Sequence, residues 1–393
     1  MANHAITHTF RGVLYIPMAW VSLCLFTTKA VEGLELQNRQ KPDTPLFFCS
    51  QHTINLTSPI LGVWRTCLLQ MKERNISIDL LKCFAALLIT NSHMGLLYGN
   101  YSFLATGGCI GDVLFFFCSG FTLFLKPMDG IRQFPDWYKR RINRIYPTLI
   151  AVAILACLFF EVHWDMIDIV LAKRYWFVSC IMLYYISIFF VGSYFKNRIL
   201  PIGILVALGT AVWFYFVYKT PGFSMYGGHY IRWLLFFDFM LLGAKMGTTA
   251  RDIKSNPAFD TCLLMLSIAC FYALFIAGLR IKSIAFIQYF SFIPLLCAMY
   301  YFYKVGASGW AERLYKSKVG NFFIRFVGGL CLEIYMVQHF LFTDKMNSLF
   351  PLNIALMFVI IFIVAYLTRC LARLISQTFK DDPYEWRKIV SPY

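Results

Sequence analysis

Ile76-Ser77-Ile78-Asp79-Leu80-Leu81-Lys82-Cys83-Phe84-Ala85-Ala86-Leu87-Leu88-Ile89-Thr90-Asn91-Ser92-His93-Met94-Gly95-Leu96-Leu97-Tyr98 is an apolar run interrupted by two formal charges, Asp79 and Lys82. At 1.5 Å per residue, a helix of this length covers a bilayer core of about 30 Å. Comparable runs follow at 104–125, 145–161, 176–195, 199–218, 231–247, 260–279, 284–304, 321–342 and 352–375, divided by short charged loops. The pattern predicts an all-α polytopic membrane protein with about ten transmembrane helices. No period-two alternation of a β-barrel competes with it. Composition agrees, because 59% apolar and only 14% charged residues, with a mean hydropathy of +0.62, is not the make-up of a soluble chain.

The formal charge of +16 would suit a nucleic-acid binder, but Lys and Arg are dispersed among the loops, so no nucleic-acid partner is expected. With residue 74 in the cytoplasm, and counting from Met71 with the adjoining span ends included, the inner segments hold 23 Lys and Arg and the outer loops seven. That imbalance sets both ends of the core in the cytoplasm. The 13 cysteines contain no CxxC pair and lie mostly inside apolar runs, which argues against a disulfide framework or a metal site.

Three segments are expected. Residues 1–73 form an N-terminal extension with one short apolar stretch at 13–28, too short for a full span. Met71-Lys72-Glu73-Arg74 reads as an alternative start with a charged lead-in to the first helix. Residues 74–379 form the ten-helix membrane domain, and 380–393 a cytoplasmic tail too short to fold alone.

Ionisable groups inside a span are costly and default to functional candidates. In the first helix, 11 steps of 100° bring Lys82 and His93 to within about 20° of each other, and Asp79 lies one turn before Lys82. All three share a face and line a path of roughly 20 Å. The bland reading pairs Asp79 with Lys82 and leaves His93 in the headgroup region. The second run carries Asp112 at about the depth of His93, where a carboxylate could orient an imidazole acting as general base. Ser119-Gly120 in the same run suits close helix packing as well as chemistry. Arg140, Arg141 and Arg144, three and four residues apart on a helix, present a guanidinium fork suited to phosphate oxygens, or simply anchor the chain in the cytoplasm. In the ninth run Glu333 falls near mid-span, where it is either protonated or matched to a cation, while Gln338 and His339 fall toward the outer face, His339 as a second base or only an interfacial residue. Asp238, His163 and His229 have nothing at recognisable spacing and read as structural or solvated.

Four stretches together resemble the acyltransferase 3 family, integral membrane enzymes that O-acetylate bacterial cell-surface polysaccharides. They are Ser77-Ile78-Asp79-Leu80-Leu81-Lys82 with His93 after ten intervening residues, Gly111-Asp112-Val113-Leu114-Phe115-Phe116-Phe117-Cys118-Ser119-Gly120-Phe121, Arg141-Ile142-Asn143-Arg144-Ile145-Tyr146-Pro147, and Leu332-Glu333-Ile334-Tyr335-Met336-Val337-Gln338. The resemblance implies that His93 is catalytic, and that Arg141 and Arg144, with Arg140 and Lys82, engage the phosphates of acyl-CoA. Lys82 stands where many members have Arg, keeping the charge and losing the bidentate fork. Asp112-Val113 inverts the family's Val-Asp, and Gln338 stands where many members have His.

The implied reaction is transfer of an acetyl or other acyl group from cytoplasmic acetyl-CoA to a hydroxyl of a cell-surface or lipid-linked polysaccharide, in the bacterial inner membrane. His93 would be the general base, with Asp112 as an orienter, Ser119 and Tyr335 as candidate oxyanion donors, and Asp79, Glu333 and Gln338 as channel or structural polar groups. The rival is a flippase for a lipid-linked glycan, against which stands the absence of an evident pair of Gly- or Pro-broken helices in corresponding halves.

Overall fold

A computed structural model of the chain describes residues 75–128, 130–228, 230–249, 255–379 and 383–392. The extension 1–73, its apolar stretch at 13–28, the alternative start at Met71, and His229 lie outside these residues. The principal helices are α1 (Ile76–His93), α2 (Gly108–Leu123), α3 (Phe134–Phe160), α4 (Trp176–Tyr194), α5 (Ile199–Val217), α6 (Ile231–Thr249), α7 (Pro257–Arg280), α8 (Phe292–Gly306), α9 (Gly309–Lys316), α10 (Lys318–Gly329), α11 (Cys331–Leu341) and α12 (Leu352–Thr378). No strand occurs among the described residues.

Five segments are long and apolar enough to cross a membrane: Ile131–Phe160, Trp176–Tyr194, Lys196–Val217, Pro257–Arg280 and Leu352–Thr378. Three bent helix pairs raise the number to eight if each is one span. The ten-segment reading also needs α2, which has 16 residues, and α6, which carries Arg232, Asp238 and Lys245. Large apolar side chains such as Leu205, Leu208, Val212 and Phe216 of α5 point away from the protein, 59–75% exposed, a surface that hydrocarbon rather than water satisfies.

The centre is built on α2. Phe116, Phe117 and Phe121 are fully buried there, against Phe236 and Phe239 of α6. Two glycines permit this approach: a Cβ on Gly120 would land on the Met240 carbonyl oxygen, and one on Gly243 on the Phe117 carbonyl oxygen. Small residues let helices meet where lipid provides no hydrophobic drive between them. Gly243→Val therefore forces α2 and α6 apart and is expected to cost about 1–3 kcal/mol or more. A markedly lower unfolding midpoint of the purified protein in detergent checks this; an unchanged midpoint would contradict it. At one end of the bundle, Lys304 of α8 pairs with buried Asp260 of α7 at 2.7 Å.

Three expected spans differ from the observed helices. The first is not straight to Tyr98 but bends by 63° after His93. There Asn91 Nδ2 donates to the carbonyls of Leu104 and Thr106, at 2.9 and 3.0 Å, and holds the chain as it turns back. The third begins at Phe134, eleven residues before the expected position 145. Pro135 and Asp136 sit in its first turn, where a missing N–H and a negative charge are favourable, and Pro147 is accommodated inside it. The ninth breaks by 72° between α10 and α11. Gly328 and Gly329 weaken the helix there, and an Arg369 guanidinium N–H of α12 donates to the Gly329 carbonyl. This is one Gly-broken helix, whereas the argument against the flippase reading concerns a pair of them in corresponding halves. The tail returns to α12, with Arg373 Nη1 donating to Lys388 O at 2.9 Å and Ile389 buried.

Candidate active site

Asp79 and Lys82 open the polar face of α1. Tyr315 of α9 donates its hydroxyl to Asp79 Oδ2 at 3.1 Å. Lys82 lies against Gly328 of α10, whose missing side chain leaves room for the close crossing: a Cβ built there would lie 3.6 Å from Lys82 Cβ. At the far end of α1, about 16 Å along the axis, stands His93. Its ring meets that of His339 of α11 edge-on, with centroids 4.5 Å apart, and both side chains are exposed. Buried Tyr335, one turn back on α11, lies edge-on to His339 at 6.4 Å and 5.5 Å from Phe177. Tyr175 fixes the start of α4 to α11 by donating its hydroxyl to Met336 O at 2.8 Å.

Asp112 does not do what the sequence suggested. No hydrogen bond joins it to His93 among the described residues, and its charge partner is Arg232 of α6. The Arg232 guanidinium is itself stacked 3.7 Å from the centroid of Trp176. The start of α2 nonetheless packs closely on the end of α1: a Cβ on Gly108 would meet Ser92 Oγ, and one on Gly111 would meet Ile89. Ser119 is half-buried, and its carbonyl accepts from the Thr122 hydroxyl at 3.1 Å.

The three arginines of α3 separate by role. Arg141 lies 4.6 Å from the Trp137 centroid and 5.9 Å from that of Tyr185, with its Nε lacking a hydrogen-bond partner. Ring faces hold such a cation without consuming its donors. Arg140 and Arg144 are exposed. Arg144, Lys82, Arg369 and Glu333 all lie within electrostatic reach of Cys331, so they surround the α10–α11 break.

Glu333 is matched to a cation, as one of its two expected states requires. Arg369 Nη2 donates to Glu333 Oε2 at 2.9 Å, and the Thr148 hydroxyl donates to Oε1 at 3.2 Å. Gln338 is fully buried, and neither atom of its amide has a partner among the described residues. Buried polar groups are nearly always hydrogen-bonded, so this amide is an exception. Of the two readings of Asp238, structural or solvated, burial removes the second: it is 5% exposed, and neither carboxylate oxygen has a hydrogen-bond partner among the described residues.

The acyltransferase 3 family, described as an acyltransferase domain, matches residues 75–370. The chain belongs to this family. Among curated proteins and among solved structures, nothing matches it. This member of the family is a multi-pass membrane acyltransferase, and the match runs from the start of α1 into α12, enclosing every site residue described in this subsection. Among the described residues no group of three or more His, Cys, Asp or Glu side chains stands close enough to hold a metal ion, and ten cysteines are free thiols.

Arg232 and Arg369 carry weight that the sequence reading did not give them, and His339, read as a second base or an interfacial residue, lies against His93. Arg232 and Arg369 each lay inside an expected span, at 231–247 and 352–375, and an ionisable residue within an apolar run was the available signal. For His339 the signal was weaker, since the family places its histidine one residue earlier.

Proposed function

We propose that this acyltransferase moves an acetyl group from cytoplasmic acetyl-CoA to a hydroxyl of a cell-surface or lipid-linked polysaccharide, as a ten-span protein of the bacterial inner membrane with both ends of its core cytoplasmic. The observation that carries the reading is the polar line along α1, with a cationic end at Lys82 and an imidazole pair, His93 and His339, at the other. A substrate with an anionic head and a reactive thioester on a long arm matches such a line. Arg144, Arg141, Arg140 and Lys82 would hold its phosphates. Asp79 and Glu333 then act through structure, tying α9 and α12 to the path.

In the reaction, His93 takes the acceptor hydroxyl proton as the oxygen attacks the thioester carbonyl. The C–S bond breaks, and the departing CoA thiolate receives the proton from the imidazolium. Gln338, with its unpartnered buried amide, is assigned to the carbonyl oxygen in preference to Ser119 and Tyr335, and its N–H would strengthen its bond as negative charge develops.

Arg144→Ala is expected to raise the acetyl-CoA concentration needed for half-maximal transfer by about tenfold, the worth of one charge-assisted contact of roughly 1.5 kcal/mol. Titration of acetyl-CoA into inverted membrane vesicles measures it. An unchanged dependence would reduce the cluster to a topological anchor. Glycan translocation without acyl transfer would favour the flippase.

A further inference from the structure

Beyond the bend in α1 lies a cavity of about 260 Å³, lined chiefly by Tyr98, Asn100, Tyr101, Asn347 and Phe350. Its two walls are the chain that follows α1 beyond His93 and the chain that follows α11 beyond His339. The walls are tied together: Asn347 Nδ2 donates to Leu96 O at 3.0 Å and Asn353 Nδ2 to Leu97 O at 2.9 Å. Tyr98 donates its hydroxyl to Asn91 Oδ1 at 2.6 Å, which fixes its ring. Tyr101 and Phe350 stack with centroids 5.5 Å apart and planes 16° from parallel, a pair in which each ring partly covers one face of the other and only the outward face serves as an aromatic wall. Both remain accessible, at 52% and 39% exposure.

The geometry points to a subsite for one neutral pyranose ring of the acceptor. An aromatic wall offers its face to the C–H side of a sugar ring, and the amide of Asn100 supplies both a donor and an acceptor for neighbouring hydroxyls. No carboxylate, ammonium, guanidinium or imidazole is among the lining residues, so an anionic sugar finds no counter-charge. The volume lies just below the range of roughly 300–1,000 Å³ usual for small-molecule sites, which suits one ring and not an extended oligosaccharide. That this ring belongs to the acyl acceptor rests on the function proposed above; that the cavity binds a sugar does not.

The test uses full-length protein in lipid nanodiscs without acyl donor. Saturation-transfer-difference NMR is recorded with methyl β-galactopyranoside, methyl β-glucopyranoside and, as the charged control, glucuronic acid. At least one neutral glycoside is expected to bind in preference to glucuronic acid. Tyr101→Ala and Asn100→Ala should each weaken it by about 5- to 10-fold, and Tyr101→Trp should retain it. Tyr101 and Asn100 are both exposed, so neither replacement disturbs the core. Binding of no neutral glycoside by the unaltered protein, or equal binding by both alanine variants, would overturn the assignment and leave the rings as interfacial anchors. Sugar binding with these losses, but no acetyl transfer, would uphold the subsite while removing the acyltransferase reading.

Discussion

His93→Ala lowers acetyl transfer by about 10²- to 10⁴-fold, the usual consequence of removing a general base. The ring of His93 ends the polar face of α1, stands exposed at the mouth of the site, and touches the ring of His339. Those features make the expected losses unequal. In the proposed mechanism, loss of His93 removes the group that takes the acceptor proton, whereas His339→Phe preserves an edge-to-face ring contact and should retain most of the rate. Comparing kcat for the two variants, at matched expression and saturating acetyl-CoA, separates them. A near-normal kcat for His93→Ala would end the proposal that it is the base; a loss at His339→Phe equal to that at His93→Ala would mean that the two imidazoles act as one unit.

The largest expected effect on stability comes from Arg369→Ala. Its guanidinium binds both oxygens of Glu333 and the Gly329 carbonyl, with side-chain exposures of only 13% and 6% for the ionic partners. Removing one member of a buried pair leaves an uncompensated charge and costs about 3–5 kcal/mol. Here it also releases the carbonyl that keeps α10 and α11 at their 72° angle. Replacing Glu333 and Arg369 together by apolar residues should be milder than Arg369→Ala alone, since no buried charge is then left over. Unfolding midpoints of the three proteins in detergent measure this ordering. Equal stability of Arg369→Ala and the unaltered protein would show that the pair holds nothing together.

These two predictions differ in how far the sequence led to them. The polar face of α1 was legible because Asp79, Lys82 and His93 lie in one apolar run, where helical spacing alone relates them. Glu333 was legible as a residue needing a cation, but its partner was not, because the choice of Arg369 depends on how α11 and α12 pack. The break at Leu330 was hidden for the same reason: Gly328 and Gly329 sit inside a run that reads as continuous, and the group that captures the released carbonyl comes from a distant helix. Asp112 illustrates the opposite error. Equal depth on neighbouring helices suggested His93, but depth says nothing about azimuth, and the cation within electrostatic reach of Asp112 is Arg232 of α6.

The most direct test of the central claim is transfer of labelled acetyl from acetyl-CoA to cell-surface glycan by membranes that carry this chain, with membranes lacking it as the control. The account predicts label in the glycan, dependent on the protein and supplied from the side of the membrane bearing Arg144. An intact glycan pool that receives no label from acetyl-CoA or from longer acyl-CoAs, with the protein properly inserted, would contradict it.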